Sequence, residues 1–218
     1  MHKRLPENKN LILHTDKYYN VGPYHNELMV YLDRGPLISQ YLGNTLYVME
    51  RCAAEYTSQL GIRFDAHYPK DMPLPPHAHT NAVMSTFFDS LNSKIEWNRK
   101  GKAHDSSVRY TWCREYGKEG RPHYHVALLL NGDAYRTIGW FESEKDNLSW
   151  RIREAWATAL GLPIEIAGPL IHFPDNLVYH IGRNPGEFEA FFYRASYLCK
   201  VATKRFGDWC HAFGYSRH

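Results

Sequence analysis

Residues 106–132, SSVRYTWCREYGKEGRPHYHVALLLNG, constrain the fold more than any other stretch of the chain. Residues 107–116 alternate in character and are rich in β-forming types. GKEGRP supplies turn chemistry, and HYHVALLL reads as a second strand. Two strands joined by a short Gly-containing loop predict a hairpin. If it folds around Glu119, Glu115 lies opposite His123 and Cys113 opposite His125. Residues two apart on a strand project from the same face. Glu115, His123 and His125 then share one face, with directly opposed Cβ atoms about 5 Å apart.

The rest of the chain reads as helices and single strands around this hairpin. Residues 1–35 are polar, rich in Tyr, Asn and Pro, and weakly periodic, which suggests a loop or loosely docked arm. From Pro36 to Leu60, Ile38, Leu42, Met49, Cys52, Ala53, Tyr56 and Leu60 recur at helical spacing, with Pro36 suited to a first turn and Gly61 to a stop. Residues 60–69 alternate as a strand ending at Pro69, and a proline-rich connection follows. Further helices are expected over about 80–98, 145–160 (stopping at Gly161) and 186–206, with an edge or closing strand at 168–173. The expected class is α+β: an antiparallel sheet with packed helices, preceded by an N-terminal arm and helix over 1–57, with the main domain at 58–218.

Composition narrows the function. With 44% apolar and 15% aromatic residues the chain has material for a core. No apolar run approaches the ~18 residues of a membrane span, and the opening MHKRLPENKN lacks a signal-peptide core. Cys52, Cys113, Cys199 and Cys210 form no C-x-x-C and read as buried thiols in a reducing compartment. A cytoplasmic protein is expected. With 26 Lys plus Arg against 23 Asp plus Glu, a nucleic-acid partner would be held by a local patch rather than by the overall field.

Two imidazoles and one carboxylate make a three-point metal site with open positions, a donor set that suits Mn²⁺ well and Mg²⁺ less strongly. The competing interpretation of Glu115, His123 and His125 is a polar, solvent-facing row on a two-faced sheet. A cupin also has Gly, five residues, then H-x-H, as Gly117 and His123 do, but its downstream Glu is missing because 127–130 is ALLL. The metallo-β-lactamase pattern fails at the same place. A second H-x-H, His77 and His79, sits in the proline-rich loop without a carboxylate at comparable range.

On the last predicted helix, at ~100° per residue, Phe188, Phe191, Phe192, Ala195, Leu198 and Cys199 form an apolar stripe. Tyr193, Tyr197, Lys200 and Lys204 fall on the opposite face. A phenol with a pKa near ~10 is a poor nucleophile at neutral pH, and a neighbouring cation favours its phenolate. Amphipathic tyrosines at a helix edge among solvated lysines are the plainer alternative.

A Glu eight positions before His-hydrophobe-His, followed downstream by Tyr-x-x-Lys, resembles the HUH endonucleases: rolling-circle replication initiators, conjugative relaxases and related transposases. The matching pieces are REYGKEGRPHYHVALLL (114–130), YLCK (197–200) and IRFDAHYP (62–69). The likeness is strongest to prophage-borne YagK/YfjJ-type proteins and inovirus-type replication initiators, over roughly residues 58–218. The resemblance implies Glu115, His123 and His125 as metal ligands, Tyr197 as nucleophile, Lys200 as charge partner of the attacked phosphate, and Tyr193 as a second nucleophile. It further implies single-stranded or melted origin DNA as partner, with Arg121, Lys200 and Lys204 near its phosphates and a host helicase and polymerase downstream. A DNA-binding regulator that keeps the fold without cleaving is the rival expectation.

Overall fold

The computed structural model describes residues 3–21, 27–75, 78, 80–141 and 146–217. Along these residues the chain forms β1 (Arg4–Leu5), β2 (Asn8–His14), β3 (Tyr18–Tyr19), β4 (Leu28–Met29), β5 (Leu37–Ile38) and α1 (Ser39–Glu55). It continues through β6 (Gln59–His67), α2 (Ala82–Arg99), β7 (Arg109–Tyr116), β8 (Pro122–Asn131) and α3 (Leu148–Leu160). The last elements are α4 (Ile164–Ala167), β9 (Ile171–His172), β10 (Val178–Ile181), α5 (Glu187–Ser196) and β11 (Phe213–Tyr215). The protein is α+β.

The main sheet runs β10–β6–β8–β7–β11, with β9 also pairing on β6, and every pairing is antiparallel. The predicted hairpin forms with the predicted register: Glu115 faces His123 and Cys113 faces His125. On the other side of β8, Asp65 faces His125 and His67 faces His123.

Helices cover both faces of this sheet. Ile62 and Phe64 of β6, Trp112 of β7 and Tyr124, Val126 and Leu128 of β8 pack with Phe87 and Leu91 of α2 and Ile152 and Trp156 of α3. On the opposite face Cys113, Ala127 and Leu129 meet Leu42, Met49 and Cys52 of α1 and Phe191, Phe192 and Ala195 of α5. Each fully buried large apolar side chain contributes about 1.5–3 kcal/mol, so both layers hold the sheet. Helix α3 begins after Asn147, whose side chain accepts from the Trp150 amide at 2.9 Å, and stops at Gly161 in the left-handed conformation.

Several local expectations are corrected. The N-terminal region is not a loose arm: β1, β2 and β5 form one small sheet, β3 and β4 another, and Leu28 and Val30 join the core beneath α1 and α5. Two-residue strands are too short to show alternation. Helix α1 starts at Ser39 rather than Pro36, because Leu37 and Ile38 pair with His14 and Leu13. Gly61 is not its stop but lies inside β6, where a Cβ would come 2.8 Å from the Phe191 ring. The 168–173 segment is a 3-10 turn followed by β9. The last helix ends at Ser196, not near 206. Tyr197–Cys199 tighten into a 3-10 turn and Lys200 is extended, bridged to Leu37. Strands β10 and β11 carry no clear sequence signal.

Candidate metal centre and its tyrosine

The α1/α5 face of the sheet changes character along its length. Ala127 and Leu129 lie in the core, whereas His123 and His125, four and two positions before Ala127 on the same face, turn polar. Glu115 arrives from β7 and Asp65 and His67 from β6. This is not a solvent-facing row: Glu115 is 2% exposed and His125 8%. His123 is half-buried and forms the more accessible side. His77 and His79 lie outside the described residues.

Glu115, His123 and His125 each present a ligand atom, and these atoms lie within 4.8 Å of one another. His125 is held at both nitrogens: Nδ1 is 2.6 Å from Asp65 Oδ1, and Nε2 is 3.2 Å from Glu115 Oε2. A neutral imidazole has one N–H. Arg63 Nη2 also lies 2.7 Å from Nδ1, and a divalent metal at Nε2 would take the place of the proton that His125 otherwise shares with Glu115. That donor chemistry fits a divalent metal, with Asp65 orienting the ligand from behind. Arg63 pairs with Asp65 in turn.

The charge states agree with this fit. Burial raises the Glu115 pKa, but the hydrogen bond with His125, the charges of Lys204 and His125 and the hydrogen bond from Lys200 outweigh it and hold the carboxyl well below its usual range. Burial likewise opposes ionisation of Asp65, and His125 and Arg63 reverse the sign. Burial, followed by the charges of His125 and His67, lowers His123 to about 4, so its imidazole is neutral near pH 7. The ring of His67 stacks on His123, with centroids 5.3 Å apart and planes at 12°.

Past the end of α5 the chain delivers three donors to one carboxylate. Lys200 Nζ lies 2.8 and 2.7 Å from the two Glu115 oxygens, Lys204 Nζ lies 3.1 Å from Oε1, and Thr203 Oγ1 lies 2.6 Å from Oε2. Thr203 adopts φ +68°, unusual for a β-branched residue. Its carbonyl accepts from the Tyr116 amide at 3.0 Å, anchoring the turn. Lys200 and Lys204 are therefore buried partners of Glu115, not members of an exposed helical face.

Tyr197 turns toward the imidazoles: its ring meets His125 edge-on at 5.5 Å between centroids, and Lys200 Nζ sits 3.5 Å from its ring centroid. Tyr193, one turn earlier, meets Tyr31 at 5.8 Å. Tyr31 also contacts Tyr197 at 5.5 Å, and its amide donates to Ser196 Oγ at 2.9 Å. Arg121 spends its guanidinium on the carbonyls of Pro69 and Met72, at 2.5 and 2.8 Å, tying the hairpin turn to the proline-rich connection.

Sequence reasoning missed Arg63, Asp65, Thr203 and Tyr31. Alternation along 60–69 puts Arg63, Asp65 and His67 on one face, but nothing local says that this strand pairs with β8.

The fold and this cluster define an α+β protein with a carboxylate–bis-imidazole centre beside a tyrosine. Residues 22–216 match the model of the YagK/YfjJ C-terminal domain, and the chain belongs to that family. It is 32% identical to the protein YfjJ of Escherichia coli (strain K12), over 84% of this chain and 96% of that one. It is 34% identical to YagK of the same strain, over 74% of this chain and 85% of the relative. No solved structure matches. Among the described residues no helix is long and apolar enough to cross a membrane.

Proposed function

We propose that this protein is a site-specific single-strand DNA endonuclease and ligase of the HUH type, acting in a bacterial cytoplasm to start rolling-circle replication of a phage or prophage-like element. The observation that carries the proposal is the Tyr197 ring packed at 5.5 Å on His125, itself one of three convergent ligand residues. Glu115, His123 and His125 would hold the divalent ion, Mn²⁺ or Mg²⁺. When bound, that ion would supply polarisation of the scissile phosphodiester.

The chain's own residues do the rest. Tyr197 provides the oxygen that bonds to phosphorus as its phenolic proton is lost and the P–O3′ bond breaks. The released 3′ oxygen takes up a proton and becomes a primer end for a host polymerase. Lys200, whose Nζ lies over the Tyr197 ring, supplies positive charge to the attacked anion. Reversal of the same step by a 3′ hydroxyl reseals the strand. Tyr193 is the candidate second nucleophile, and strand separation falls to a host helicase.

The saturation of Glu115 by lysine and threonine donors favours a second reading, a DNA-binding accessory that holds origin DNA without cutting it. Incubation with single-stranded origin oligonucleotide and Mn²⁺ separates the two. A covalent protein–DNA adduct that disappears in Tyr197→Phe is the expected result. An adduct that persists in that variant would remove Tyr197 from the role. Origin binding that survives EDTA, with no adduct under any divalent ion, would establish the accessory reading instead.

A further inference from the structure

Glu115 is contested. Its two oxygens already receive Lys200, Lys204, Thr203 and His125, while a carboxylate offers about four lone-pair directions. A cation that takes Glu115 must share it with these donors or displace one. Leaving the imidazoles aside, among the described residues Arg63, Lys200 and Lys204 pair with only the Asp65 and Glu115 carboxylates, so the cluster is already formally cationic by one charge. The Lys200 and Lys204 side chains are 3% and 0% exposed. Charges buried this deeply are poorly screened by salt, and a divalent ion adds two more of the same sign.

We propose that a divalent cation and a phosphodiester anion enter this site together, the anion giving Lys200 and Lys204 the counter-charge that Glu115 yields to the metal. The proposal rests on the metal-centre reading above and adds to it a coupling and the class of ligand that produces it. Lys200 touches both halves of the site, Glu115 on one side and the Tyr197 ring on the other. An anion drawn to Lys200 therefore arrives beside the phenol. Linkage makes the effect reciprocal: the anion tightens the metal by the factor by which the metal tightens the anion.

The test is Mn²⁺ binding to the full-length chain, followed through the electron paramagnetic resonance of free Mn²⁺ against protein-free blanks. Three arms are compared: Mn²⁺ alone, Mn²⁺ with inorganic phosphate, and Mn²⁺ with single-stranded oligothymidylate. The Mn²⁺ Kd is expected to fall about tenfold with oligothymidylate, within the usual range of coupling. A shift in both anion arms, or in the oligothymidylate arm alone, supports the proposal. A shift with inorganic phosphate alone assigns the site to free phosphate and overturns the phosphodiester form. A Kd that neither anion moves overturns the coupling while leaving the metal centre intact. No Mn²⁺ bound in any arm strikes the metal-centre reading itself. Lys204→Met should bind Mn²⁺ alone more tightly and lose most of the anion effect, whereas Lys204→Arg retains it. Unchanged coupling in a folded Lys204→Met overturns the role given to Lys204, and the wild-type arms decide the main point whether or not that variant folds.

Discussion

The two faces of the central sheet are built from the same three strands and do opposite work. Toward α2 and α3, Phe64, Tyr124 and Trp156 form a closed aromatic cluster, and burial pushes the Tyr124 phenol up to about 12. Toward α1 and α5, the residues one position away on the same strands are Arg63, Asp65, His123 and His125. Tyr124 is locked in the core, while Tyr197 lies against an imidazole and a lysine ammonium. A phenol becomes useful for chemistry where its neighbours can stabilise charge; around Tyr124, burial outweighs the nearby Arg114 guanidinium.

Substituting adjacent residues on β6 sharpens this contrast. Phe64→Ala empties a fully buried position on the aromatic face and should cost about 3–5 kcal/mol, read as a drop in the denaturant midpoint. Mn²⁺ affinity, measured under conditions where the variant stays folded, should be nearly unchanged. Asp65→Asn should do the reverse: a smaller stability loss of about 1–3 kcal/mol from the broken contacts to Arg63 and His125, and a Mn²⁺ affinity lower by about 10–100-fold. Equal losses of metal binding in both variants would break the division between the faces.

The smallest expected effect is in pH dependence. His123 is lowered to about 4 in the fold, against ~6.5 in an unfolded chain. Between those values the unfolded chain binds a proton that the folded chain does not, so stability falls as the pH drops through that window. His67, lowered mainly by burial, acts in the same direction. The carboxylates of Asp65 and Glu115, both held well below their usual range, contribute above the ordinary carboxylate pKa and lose that contribution at still lower pH. His123→Asn should flatten part of the Tm-against-pH slope between about 6.5 and 4. A slope that stays the same would mean that other groups carry it.

Much of the centre was legible because a hairpin is local. The GKEGRP turn fixes how 109–116 meets 122–131, and that register alone brings Glu115 opposite His123. The tyrosine helix was legible in its apolar stripe, since Phe191, Phe192 and Ala195 do face the core. Its end was not. Helical periodicity continues in the sequence through Lys204, but backbone pairing of Lys200 with Leu37 and of Val201 with Pro36 draws the chain out of the helix. Those partners are far away in sequence and leave no local trace.

By itself the sequence determined the α+β class, the hairpin and the convergence of Glu115, His123 and His125, because each depends on periodicity or on a short turn. Only the tertiary structure decided that Asp65 stands behind His125, that Lys200, Thr203 and Lys204 close on Glu115, and that Tyr31 braces both tyrosines. Which strand lies beside which, and where a helix is interrupted, depend on contacts between distant segments that only the assembled core can choose.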